Sequence, residues 1–75
     1  MAEIQVRSDI SGLVFKILVK PGDKVEEEDS LIILESMKME IHVAAPQAGT
    51  VKSVLVKEAD AVSEGMPVVV LESAG

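Results

Sequence analysis

The sequence has no cysteine, tryptophan or tyrosine, one phenylalanine (Phe15) and one histidine (His42). Without thiols there is no disulfide framework, no thiolate metal site and no Cys nucleophile, which fits a cytoplasmic chain. One histidine excludes a His-rich metal site. A single aromatic ring gives no platform for stacking bases, and a net charge of −6 is the wrong sign for a phosphate backbone, so no nucleic-acid partner is expected. No apolar run approaches the roughly 18 residues of a membrane-spanning helix, and the N-terminus lacks a signal-peptide pattern, so no membrane partner is expected. Ser/His/Asp sets, paired catalytic carboxylates and Gly-rich phosphate loops are missing too, which argues against an enzyme.

What the chain does contain is a repeat. A shift of 37 positions lays residues 3–36 on residues 40–73 without a gap, and 14 of the 34 pairs are identical. They include Glu3/Glu40, Gly12/Gly49, Val14/Val51, Asp23/Asp60, Leu34/Leu71, Glu35/Glu72 and Ser36/Ser73. A solenoid needs at least about 3 copies, so two copies in 75 residues imply one domain, residues 1–75, with a pseudo-twofold axis. Only Met37, Lys38 and Met39 separate the copies, and the second copy of that junction falls at Ala74 and Gly75.

Short β-branched runs lie between turn signals. Ala2–Arg7 alternates, with Ile4 and Val6 on one face; Leu13–Val19 and Leu31–Leu34 are aliphatic; Met39–Ala44 alternates through Ile41 and Val43. Val51–Val56 and Val68–Leu71 repeat the earlier runs. Breaks fall at Ser11-Gly12, Pro21-Gly22-Asp23, Pro46-Gln47-Ala48-Gly49 and Glu64-Gly65-Met66-Pro67, with Asp23 and Asp60 as turn formers. This spacing predicts an all-β sandwich or barrel. Val14, Ile17 and Val19 cannot all face inward on one flat strand, and Val51, Val54 and Val56 fail in the same way. A recurring bend or bulge reconciles both.

Lys38 is the candidate functional residue. It lies in Glu35-Ser36-Met37-Lys38-Met39-Glu40, between the runs Leu31–Glu35 and Glu40–Ala44, and so on a hairpin tip. A tight hairpin favours Gly, Asn or Asp, whose backbones reach positive φ cheaply. Met-Lys there points to selection by something other than folding. Exposed, Met37 and Met39 would form an adaptable apolar collar around the amine, although their spacing suits core filler equally well. Acylation needs the neutral amine, and the sequence places no group beside Lys38 to generate it, so an outside enzyme must activate the amine. Glu26-Glu27-Glu28-Asp29 reads as a solvated acidic loop, and His42 as a residue facing solvent or a sheet edge.

Glu35-Ser36-Met37-Lys38-Met39-Glu40 resembles the biotin-attachment motif of biotin carboxyl carrier domains, Ala-Met-Lys-Met preceded by Glu. Val19-Lys20-Pro21-Gly22-Asp23-Lys24-Val25 resembles the family's Gly-Asp-x-Val turn, and Ala45-Pro46 with Gly49-Thr50-Val51 its Pro…Gly-x-Val segment. The likeness covers essentially the whole chain and is greatest to the small stand-alone bacterial biotin/lipoyl attachment proteins.

The resemblance implies a flattened β-barrel of two four-stranded antiparallel sheets. It also implies a non-catalytic carrier with biotin covalently on Lys38. Met37 and Met39 would flank the site, and Ser36, Glu35 and Glu40 would serve in ligase recognition. The implied partners are a biotin protein ligase, a biotin carboxylase and a carboxyltransferase, between which the carrier shuttles carboxybiotin for a biotin-dependent, acyl-CoA type of carboxylase. The carrier itself is expected to be monomeric. Lipoate on the same lysine, installed by a lipoyl ligase, is the alternative cofactor, and attachment of both is a third case. An unmodified interaction module of the same fold would need no tip lysine. Ser36 stands where the family most often has Ala, and Glu28 where a Gly is common. The thumb insertion of some acetyl-CoA carboxylase carriers has no room between Phe15 and Val25.

Overall fold

The computed structural model describes residues 2–73 and contains eight strands. They are β1 (Glu3–Arg7), β2 (Gly12–Ile17), β3 (Lys24–Val25), β4 (Ser30–Ser36), β5 (Met39–Ala44), β6 (Gly49–Val54), β7 (Ala61–Val62) and β8 (Pro67–Ser73). Two antiparallel four-stranded sheets pack face to face, in the orders β1-β8-β6-β3 and β5-β4-β2-β7. Adding 37 residues turns β2, β3 and β4 into β6, β7 and β8, and β1 into β5, so each order maps onto the other. The expected pseudo-twofold sandwich is therefore present. The short strands β3 and β7, of two residues each, correspond to none of the apolar runs in the sequence.

The symmetry extends to single hydrogen bonds. Val51 N–H donates to Asp23 O and Val14 N–H to Asp60 O, 2.8 and 2.9 Å. The carboxylates of Asp23 and Asp60 accept from the N–H groups of Lys20 and Lys57 at 3.0 and 2.8 Å, closing equivalent turns. Both aspartates are thus the expected turn formers.

The bulge lies in the predicted run. Val14 pairs with Leu34 but Lys16 with Ile33, which leaves Phe15 as the extra residue of β2. Its counterpart Lys52 is extra in β6, where Val51 pairs with Leu71 and Ser53 with Val70. A second symmetric pair was not expected from the sequence: Leu31 is skipped between Ser30 and Ile32, and Val68 between the partners of Val6 and Arg7. These bulges let Leu31 and Ile32, and likewise Val68 and Val69, be fully buried side by side, which strict alternation forbids. Leu31, Ile32, Leu34, Val51, Val68, Val69 and Leu71 form the centre of the core between the sheets.

Two left-handed positions recur in each copy, and each copy supplies glycine at one of them. Gly22 (φ 97°) corresponds to Ala59 (φ 73°), and Gly65 (φ 85°) to Glu28 (φ 76°). A left-handed L-residue costs roughly 1–2 kcal/mol, against roughly 0.5–1 kcal/mol of extra chain entropy for glycine. Ala59→Gly is therefore expected to stabilise the fold by about 0.5 kcal/mol, read as a higher urea midpoint at unchanged slope. A lower midpoint would mean that the Ala59 methyl group makes a contact worth more than the strain.

Candidate attachment site

β4 and β5 form a hairpin whose last pair is Ser36 and Met39. Two residues close it, Met37 (φ 51°) and Lys38 (φ 67°). Positive φ at both is the signature of a type I′ turn, whose twist suits flanking strands but which normally recruits Asn and Gly. The tip therefore holds two L-residues in a conformation their side chains disfavour. The run alone requires a turn, but the strain follows only from the two-residue register.

The hairpin leaves its apex in solvent. Met37 is 91% exposed and Met39 59%, and Lys38 is exposed beside them. Met39 shares the inward parity of Ile41 and Val43, but it is neither in the core cluster nor among the partly buried residues packed against it. The collar reading therefore replaces the core-filler reading.

Below the apex, Ser36 is half-buried and Glu35 and Glu40 are exposed cross-strand partners. Gly12 backs this end of the sheet. A Cβ on Gly12 would lie 2.7 Å from Glu35 O and 3.4 Å from Ser36 Cβ. The close approach explains why position 36 holds a small residue, and it adds Gly12 to the site. The sequence marks Gly12 only as a turn signal after Ser11 and through its identity with Gly49.

The twofold supplies an internal comparison. The counterparts of Glu35 and Glu40 are Glu72 and Glu3, which are also cross-strand partners. There Lys52 forms an ion pair with Glu3. The hydrogen bond and charge of Glu3, with a smaller push from Glu72, raise the Lys52 ammonium above the ordinary lysine pKa. That pairing is fully present below the ordinary value and is lost as pH rises through the raised one. At the tip the residue equivalent to Lys52 is Phe15, half-exposed. Among the described residues Lys52–Glu3 is the one ion pair, so Lys38 is held by none.

The molecule measures 37 × 17 × 17 Å, and a strand's length separates the tip from Ala2 and Ser73, whose backbones are hydrogen-bonded at the other end. An open groove of about 570 Å³, lined by Lys24, Glu26, Thr50 and Glu72 among others, lies at that far end and not beside Lys38. The repeat equivalents of the tip, Ala74 and Gly75, lie outside the described residues. His42 is exposed on the edge strand β5, with Nδ1 2.7 Å from Ser30 Oγ, which fits the sheet-edge expectation. In the acidic run, Asp29 accepts from Glu26 N–H at 2.8 Å and so closes its own turn. No thumb protrudes between β2 and β3, where residues 18–23 form a short connection.

Residues 4–71 match the model of the Biotin_lipoyl family, described as biotin-requiring enzyme. The chain belongs to the biotin/lipoyl attachment family. A biotinylated protein TB7.3 homolog of Mycolicibacterium smegmatis is 51% identical over 43 residues, which is 57% of this chain and 59% of that protein. The chain thus matches about three-fifths of that relative's length. Among solved structures, the Kluyveromyces lactis urea carboxylase superposes with a TM-score of 0.91 at 35% identity, over 96% of this chain and 6% of the enzyme. A single-chain, multi-domain long-chain acyl-CoA carboxylase gives 0.85 at 30% identity, over 96% and 7%. As a biotin/lipoyl attachment domain, the chain has the fold that its repeat and its strand runs implied.

Proposed function

We propose that the chain is a non-catalytic biotin carrier, biotinylated on the Nζ of Lys38, that serves a cytoplasmic biotin-dependent carboxylase acting on an acyl-CoA. The observation that carries this reading is the tip itself. A lysine free of ion pairs, flanked by two exposed thioethers, occupies a turn position whose geometry favours glycine. Strained residues persist where a function other than stability selects them. The names of the similar proteins, biotinylated protein and carboxylases of urea and of long-chain acyl-CoA, support biotin and carboxylation.

The residues divide the work simply. The hairpin displays the amine at one extremity of a rigid sandwich, where a biotin protein ligase reaches it without unfolding the domain. Ser36 fits the narrow space over Gly12, and Glu35 and Glu40 present unpaired carboxylates to the ligase. Biotin, once attached, supplies the ureido nitrogen that takes up and gives back a carboxyl group. The domain contributes the tether, which raises the local concentration of that group at the biotin carboxylase and the carboxyltransferase. The carrier works as a monomer.

Purified apo-protein incubated with a biotin protein ligase, biotin and ATP is expected to gain the mass of one biotinyl group, mapped to the Lys38 peptide. A parallel incubation with a lipoyl ligase and lipoate tests the other cofactor. Lipoylation without biotinylation would replace biotin with lipoate in this reading. Modification by neither would overturn it.

A further inference from the structure

The collar has a chemistry of its own. This chain has no cysteine, so thioethers are its oxidisable sulfurs. Met37 and Met39 are 91% and 59% exposed, on either side of Lys38, whereas Met66 is partly buried against the core. Oxidation of methionine follows access to the sulfur, so among the described residues the two flanks of the attachment lysine are the methionines a peroxide reaches first. The exposure goes with the turn: Met37 lies beyond the last cross-strand pair, Ser36 and Met39, as one of the two residues that reverse the chain.

We propose that Met37 and Met39 are a reversible oxidation site that controls loading of the carrier, an inference that rests on Lys38 being the biotin acceptor. The reaction balances simply. A peroxide transfers one oxygen to the thioether sulfur, forming a sulfoxide and releasing water or an alcohol. The sulfur loses two electrons and the O–O bond takes them. A methionine sulfoxide reductase returns the sulfur to the thioether with a dithiol, which gives up two electrons and becomes a disulfide while the oxygen leaves as water. The sulfoxide is polar and chiral, so the collar ceases to be an apolar, adaptable surface. A ligase that buries these side chains around the amine then loses that contact, while the fold, which does not pack on them, is unchanged. Oxidation would thereby hold newly made carrier in its unloaded form.

The test uses the full-length apo-protein and dilute hydrogen peroxide, removed before a biotin protein ligase, biotin and ATP are added. Peptide mapping is expected to place oxygen on Met37 and Met39 well before Met66. The oxidised protein is expected to label about tenfold more slowly, the loss that follows when roughly one buried thioether contact is forfeited. Treatment with the reductase is expected to restore the rate, and the Met37→Leu/Met39→Leu variant to label equally with and without peroxide. Oxidised protein that labels at the untreated rate would overturn the proposal, as would a slowing that persists in the leucine variant. If that variant labels poorly even untreated, rescue of the wild type by the reductase decides. An untreated wild type that takes no biotin overturns the Lys38 reading itself, an outcome distinct from labelling that ignores oxidation.

Discussion

Lys38→Arg is expected to abolish ligase labelling completely while moving the urea midpoint by no measurable amount. Arginine keeps the charge and much of the length but offers no primary amine for acylation. Lys38 is exposed and makes no ion pair, so the fold loses nothing with it. Lys38→Gly separates function from stability more sharply. At φ 67° glycine is nearly free of strain, so this variant is expected to be unlabelled yet more stable by about 0.5–1 kcal/mol. Intact-mass spectrometry after incubation with ligase reads the first effect. Denaturation followed by far-ultraviolet circular dichroism reads the second, since the chain has no tryptophan or tyrosine to report by fluorescence. Residual biotin on Lys38→Arg would place the acceptor elsewhere. A less stable Lys38→Gly would show that the lysine stem supports the hairpin.

Gly49→Ala is expected to be the most damaging single methyl group in the chain. A Cβ on Gly49 would lie 2.4 Å from Glu72 O and 3.2 Å from Glu72 C, where β6 crosses the end of β8. Both atoms are backbone, so no rotamer change relieves the clash, and β6 and β8 must separate. Forced overpacking typically costs about 1–3 kcal/mol, and a backbone contact this short belongs at or above the upper end. A 75-residue domain has only about 4–11 kcal/mol in total, so the variant is expected to lose a large share of its stability. Gly12→Ala makes the equivalent contact at 2.7 Å, so a smaller loss is expected. Because it displaces Glu35 and Ser36, it is also expected to slow labelling at Lys38, which Gly49→Ala leaves alone. A Gly49→Ala midpoint within error of the wild type would refute the close approach of β6 and β8. Equal labelling of Gly12→Ala and wild type would remove Gly12 from the site.

Much of the molecule is local in origin, and that part was legible. The repeat fixes the twofold, because equal patterns of apolar residues and turns fold alike. Lys38 at its junction therefore had to lie on the connection between β4 and β5. The failed alternation around Phe15 and Lys52 implied a bulge, since side-chain direction on a strand has a period of two residues. Asp23 and Asp60 signalled their turns through short-range hydrogen bonds to the N–H groups of Lys20 and Lys57.

Other features depend on what comes close through space, and only the packed sheets decided them. Consecutive apolar residues at Leu31-Ile32 and Val68-Val69 read as strand either way; burying both of each pair required bulges set by the partner strands. Met39 has the parity of a core residue, yet it is exposed and belongs to no part of the core, because parity fixes a face of the strand and not what covers it. Gly12 and Gly49 look like ordinary turn residues until Glu35 O and Glu72 O arrive from 23 positions away. The positive φ of Met37 and Lys38 likewise follows from register, because pairing Ser36 with Met39 leaves two residues to reverse the chain. The sequence by itself determined which residue stands at the tip. Tertiary structure determined that this residue is strained, unpaired and ringed by exposed sulfur, because strain and exposure depend on distances that a linear pattern does not contain.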